Sequence, residues 1–304
     1  MSTVNQEFID KIKRSNLLAL PQSVVKFFEL TKDPANGPPE YAKAIYADPG
    51  LTLQILRFAN SAFFGFRHKI TTVQGAMSLI SVRTIKNFIL WNAVFALLPD
   101  PKCGPFGLKF FVLDSLRRSC FAKALGACFS ELDSEELFIA ALLQDVAIPI
   151  FAQIMPKEYE TILIRHQQTG LSLTRLEEEA FGWNHANVGA MLVKEWGLGE
   201  ELAAKIAAHH VVECQNSTER KPFLERTIIH LSSILPSCCE KEWKNSETFF
   251  AILAKIQTRD FVEVEVFKSA DQLFADLLVV AQMEQSADTV VGFHHQYLST
   301  MSLE

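Results

Sequence analysis

Helix starts and stops recur throughout this chain of 304 residues, and that punctuation limits what it can fold into more than any other feature. Asp48-Pro49 puts a capping carboxylate ahead of a proline at the first helical position. Leu51, Ile55, Phe58 and Ala59 then repeat at helical spacing, so the segment buries one face. Ser81 is placed to cap a second helix, whose Ile85, Phe88, Ile89, Phe95 and Ala96 form an apolar stripe ending at Pro99. A helix over about 108–129 leads to Asp133, which caps the next one while Glu136 reaches back in a capping box. That helix carries Leu137, Phe138, Ala141 and Leu142 towards a core and stops at Gln144-Asp145. Gly170, Gly182 and Gly197 fall where helices should end, and Ser172 and Asn184 where they should begin. Only residues 261–267, FVEVEVF, alternate with a period of two. A lone strand has no partner in such a fold, so helix or loop is expected there. The fold class is all-α.

Hydrophobic residues make up 49% of the chain, enough for a substantial core. Residues 99–107, PDPKCGPFG, hold three prolines and two glycines and read as a linker between two helical lobes. The expected divisions are an N-terminal lobe at 1–98, the linker, a central lobe at 108–212 and a C-terminal helical extension at 213–304 packed on the core. The first twenty residues mix acidic, basic and amide side chains, unlike a secretory leader. The apolar stretch 88–98 is interrupted by Asn92 and is short of the roughly 20 residues that cross a bilayer. No membrane association is expected. Six cysteines form no C-x-x-C pair, and with no export signal they read as reduced thiols in a cytoplasmic protein. The net charge of −6, with its basic residues scattered, is the wrong field for a phosphate backbone, so no nucleic-acid partner is expected.

Residues 51–90, LTLQILRFANSAFFGFRHKITTVQGAMSLISVRTIKNFIL, resemble the signature of HDOD domains, with Ala59, Asn60, Ser61, Phe63, Phe64 and Gly65 forming its central element. The preceding LPQSVVKFFEL and the later FIAALLQDVA, MPKEY, EEEAFGWNHANVGAMLVKEWGL and AAHH follow in the family's order, so the resemblance spans roughly residues 17–210. It implies a multi-helix bundle like that of the HD-superfamily metal-dependent phosphohydrolases, and a bacterial signalling role.

In that superfamily histidines and aspartates hold divalent metal that activates water against a phosphoryl group. The resemblance aligns Arg118 with the first metal-binding histidine and Gln144-Asp145 with the His-Asp pair. Two imidazoles are thus replaced, by a permanent cation and by a neutral amide, and both changes argue against a working catalytic centre. Asp145, His185, His209 and His210 remain as ligands for a divalent ion such as iron, zinc, manganese or nickel.

Each of the survivors also has a plainer role. Asp145 can pair with Arg118, His185 can be a partly exposed residue in a first helical turn, and His209 and His210 can interact with a helix C-terminus. Three functions stay open. The chain can be a non-catalytic signalling module acting on protein partners, a residual phosphohydrolase or phosphodiesterase acting on a nucleotide, or a sensor whose Arg118 holds a phosphorylated small molecule. Asn60 and Ser61 read as a helix-terminal turn that satisfies backbone groups. Phe63, Phe64 and Phe66 read as packing between the lobes, and His294 and His295 as a polar tail without a role.

Overall fold

The computed structural model describes residues 6–15, 20–61, 64–211, 219–257, 262–283 and 288–301, and among these every regular element is a helix. The chain divides into two compact units.

The smaller unit comprises Leu18–Leu97 and Gln272–Gln285. Its helices Gln22–Leu30, Pro38–Tyr46, Pro49–Ala59, Val73–Ile80 and Val82–Leu97 surround Phe27, Ile45, Ile55, Ile85 and Ile89, all fully buried. The caps sit where the sequence placed them. Asp48 accepts the Leu51 backbone N–H at 3.0 Å while its other oxygen accepts the Ser23 hydroxyl at 3.1 Å, and the Ser81 hydroxyl accepts from Thr84 N–H at 3.1 Å. Asn60 closes its turn as expected. Its amide nitrogen donates to the Leu56 and Ile70 carbonyls at 2.7 and 2.8 Å, and its oxygen accepts the Ile70 N–H at 2.8 Å. The aromatic cluster departs from expectation. Phe64 packs edge-on against Phe58 at 5.0 Å inside this unit, Phe66 is 38% exposed, and Phe63 lies outside the described residues.

The larger unit comprises Met1–Leu17, Leu98–Asp271 and Ser286–Glu304. The Leu108–Gly126 helix lies against Ser134–Leu143, and their shared core takes in Phe121, Leu125, Leu137, Ile228, Phe249, Phe267 and Phe293. Gly126 is required where the two helices meet: a Cβ on it would stand 2.4 Å from Leu137 Cδ1 and 3.6 Å from Ser134 Cα. Leu137 is fully buried and cannot yield, so Gly126→Ala should cost about 1–3 kcal/mol in urea unfolding despite alanine's better helix propensity. A variant as stable as the parent would show that the pair can separate freely.

Three sequence boundaries move. The Gln6–Ser15 helix belongs to the larger unit and not to an N-terminal lobe, because the buried Phe8 packs on Trp183 at 4.6 Å and Phe151 at 5.3 Å. The segment 99–107 is part of the same unit and not a free linker. Its Cys103 is 1% exposed and its thiol donates to the Pro156 carbonyl. Residues 272–285 group with the smaller unit, and the rest of the described C-terminal region shares the larger core.

Residues 263–267 of the alternating segment are helical, within Glu263–Ala281. Asp133 caps its helix through the Glu135 and Glu136 N–H groups. The Glu136 carboxylate, however, accepts from Lys205 at 3.1 Å and closes no capping box. His294 is not in a polar tail: it is 5% exposed on Val290–Met301 and lies 5.0 Å from the Phe267 ring. The described cysteines are free thiols. Ser134–Ile154 is long and apolar enough by composition to cross a membrane, a segment that outranks 88–98, but it is 83% buried inside the unit. Gln144 and Asp145 break it into two helices.

Candidate functional site

Four separate pieces of the larger unit bring the site together. Arg118 projects from Leu108–Gly126, and Asp145 sits in the turn after Ser134–Leu143. This turn is held by Val146 N–H to Leu143 O at 3.1 Å and Ile148 N–H to Asp145 O at 2.9 Å. His185 opens His185–Glu195, where Asn184 and Asn187 exchange a reciprocal pair of 3.1 Å caps. His209 and His210 follow the end of Glu200–Ala207.

Asp145, His185, His209 and His210 each offer a ligand atom, and these atoms all lie within 4.8 Å of one another. Asp145 Oδ1 faces His185 Nε2 at 3.2 Å and His209 Nε2 at 3.4 Å, and His185 Nε2 lies 2.9 Å from His210 Nε2. The other oxygen, Oδ2, takes the Arg118 guanidinium. The ion pair foreseen for Asp145 and the convergence of the three histidines therefore occur together. His185 is 1% exposed, which corrects the picture of it as a partly exposed first-turn residue.

The site continues one layer further, through residues to which the sequence assigned no role. Glu177 Oε2 accepts His185 Nδ1–H at 2.7 Å and the His185 backbone N–H at 2.8 Å, and Glu177 Oε1 accepts the Tyr159 hydroxyl at 2.6 Å. His230 lies 3.0 Å from the His209 carbonyl through Nδ1. Glu177 stands inside a run of three glutamates, 177–179, which reads as a solvated face. Its clue was helical spacing: it shares a stripe with Leu173, Leu176 and Ala180, and only it of the three is fully buried.

Charge follows from these contacts. Burial disfavours an imidazolium at His185, but Glu177 and Asp145 outweigh it and push the pKa up to about 10. Burial would raise Asp145, yet Arg118 and the hydrogen bond from His185 hold it well below the usual carboxylate range. Burial, reinforced by the charge of His185, depresses His210 well below an ordinary histidine. The Tyr159 hydroxyl is raised by burial and by the Glu177 charge.

Do these residues suit a metal ion? His209 gives the answer. Its Nδ1 lies 2.6 Å from the Ile206 carbonyl and must donate to it, which leaves a lone pair on Nε2 in the neutral tautomer. That Nε2 is buried, has no hydrogen-bond partner, and faces the Asp145 oxygen. Two acceptors turned towards each other are what a cation between them would satisfy. The Glu177–His185 contact supplies the outer carboxylate that orients a ligating imidazole. The four donors fit one divalent ion. Gln144 contributes no such donor: its Oε1 accepts from Ser232 Oγ at 3.4 Å and its buried Nε2 has no partner. Another acidic group, Glu136, Glu201 and Glu225, encloses the Lys205 ammonium at 3.1, 2.9 and 3.5 Å and so already holds a cation.

The HDOD domain family model matches residues 17–212, a stretch that includes Arg118 and all four donors. The chain belongs to the HDOD family. No curated protein matches it. Solved structures share this HDOD protein's fold at low identity. An HDOD domain protein of Geobacter sulfurreducens is 18% identical with a TM-score of 0.61, over 94% of this chain and 89% of that one. A Shewanella amazonensis protein named "Putative phosphohydrolase" is 17% identical with a TM-score of 0.62, over 97% and 94%. A "Putative signal transduction protein" of Marinobacter aquaeolei is 15% identical with a TM-score of 0.68, over 93% of this chain and 62% of that one.

Proposed function

We propose that this HDOD protein is a non-catalytic signal-transduction module that takes up one divalent cation at Asp145, His185, His209 and His210 and passes the change in helix packing to protein partners. The donor set carries this reading. Four protein donors converge within 4.8 Å, and a tetrahedral ion such as zinc would find its shell filled by them. Hydrolytic zinc keeps three protein ligands and an open position for water, whereas a closed set of four leaves none. Arg118 adds to the argument by covering the second oxygen of Asp145.

An ion held here would take the place of the proton His185 carries and neutralise Asp145. Because its ligands stand in the 144–147 turn, at the head of His185–Glu195 and just beyond Glu200–Ala207, they tie three elements at one point. Occupancy would therefore bear on how those helices pack. The name of the Marinobacter relative agrees with a signalling role.

Zinc titrated into chelator-treated protein should bind at about one equivalent, and Asp145→Ala should remove that binding. The zinc-loaded protein should leave a panel of phosphomonoesters and nucleotide phosphodiesters at the buffer rate. Turnover that disappears in Asp145→Ala would overturn the non-catalytic reading. Absence of zinc uptake would overturn the cation reading.

A further inference from the structure

We infer that Arg118 is an internal antagonist of the cation: guanidinium and divalent ion compete for the charge of Asp145, and ion entry drives Arg118 towards Asp114, one helical turn away. This rests on the cation reading above and names how that site is regulated.

The geometry gives Asp145 two faces. Oδ1 looks at the imidazoles, and Oδ2 is held by Arg118. A divalent ion on Oδ1 would stand close to a guanidinium on the same carboxylate, in a setting where Asp145 is only 6% exposed and water screens little. Unlike histidine or lysine, arginine cannot relieve the repulsion by losing its proton. It can only move. Its side chain keeps 19% of its surface open to solvent, so the way out is not blocked.

A second acceptor waits nearby. Asp114 lies four residues before Arg118 on the same helix, the spacing at which opposite charges meet, and its charge already bears on Arg118. Asp114 also has a partner of consequence: its carboxylate accepts the Cys238 N–H and the Ser237 hydroxyl, both at 2.6 Å. The adjacent Arg117 holds the Pro236 carbonyl at 3.2 Å. Arg118 arriving at Asp114 therefore reaches the 236–240 loop, which links the cluster to the surface where Cys239 is exposed.

The test is a double-mutant cycle read as zinc affinity of the full chain by competition with a chromophoric chelator. Arg118→Gln should bind zinc at least tenfold more tightly than the parent. Asp114→Asn, which keeps an acceptor for Cys238, should bind severalfold more weakly, because displaced Arg118 loses its second partner. In the Arg118→Gln background the Asp114→Asn effect should vanish. Equal affinity of parent and Arg118→Gln, with binding still lost in Asp145→Ala, would overturn the antagonism and leave the cation reading intact. Persistence of the full Asp114→Asn effect without Arg118 would overturn the transfer to Asp114. Zinc uptake by neither parent nor Arg118→Gln would overturn both readings, and uptake by Arg118→Gln alone would support the antagonism while overturning the cation reading for the parent.

In case Arg118→Gln unfolds, the parent itself provides a second measurement. The Arg118 Nε signal of arginine-labelled protein should shift on zinc addition, and a signal unmoved at saturating zinc would overturn the inference.

Discussion

Replacing Glu177 by alanine should destabilise the protein by about 3–5 kcal/mol, the range for stripping one member from a buried, hydrogen-bonded charge pair. Three donors lose their acceptor at once: His185 Nδ1–H at 2.7 Å, the His185 backbone N–H at 2.8 Å and the Tyr159 hydroxyl at 2.6 Å. None can turn to water, since Tyr159 and Glu177 are fully buried and His185 is 1% exposed. The cost is severe because His185 holds its proton to about pH 10, so the change strands a positive ring against Asp145 alone. Glu177→Gln keeps the shape and one acceptor oxygen and should lose less, about 1–3 kcal/mol. Urea unfolding at neutral pH measures both. An alanine variant within about 1 kcal/mol of the parent would show that Glu177 does not hold His185 charged.

Phe121→Ala should lose about 3–5 kcal/mol by the same measurement, as large-to-small changes of a buried aromatic do where the surroundings cannot collapse. Phe121 is fully buried, with its ring 5.6 Å from that of Phe249 and 6.0 Å from that of Phe267. Those partners come from beyond residue 219, so the effect reports whether the C-terminal region shares the core of Leu108–Gly126. Phe249→Ala should show a similar loss, and the double variant should lose less than the sum, because both side chains line one space. Strict additivity would mean that the C-terminal helices stabilise themselves separately.

What was legible in the sequence is local in its physics. Asp48, Ser81, Ser172 and Asn184 cap their helices through N–H groups three residues on, and Gly170 and Gly182 end theirs at φ of 68° and 79°. A cap or an αL stop depends on neighbours a few residues away, so one window of sequence contains its whole cause. That Asp145, His185, His209 and His210 come together was legible too, because resemblance to a family carries positions that spacing alone does not.

What only the tertiary structure decided depends on contacts between distant segments. Composition marks Glu177 as part of an acidic run, and burial against Tyr159 and His185 makes it the anchor of the site. Glu136 has the right spacing for a capping box, yet Lys205, 69 residues away, takes its carboxylate. Phe8 leaves the N-terminal lobe because Trp183 and Phe151 offer it an apolar seat. Whether Asp145 would meet Arg118 or the histidines was open in the sequence, and the fold answered with both, one on each oxygen. A side chain's periodicity tells which face of its helix it shares, but the partner on that face is chosen by the packing of the whole unit.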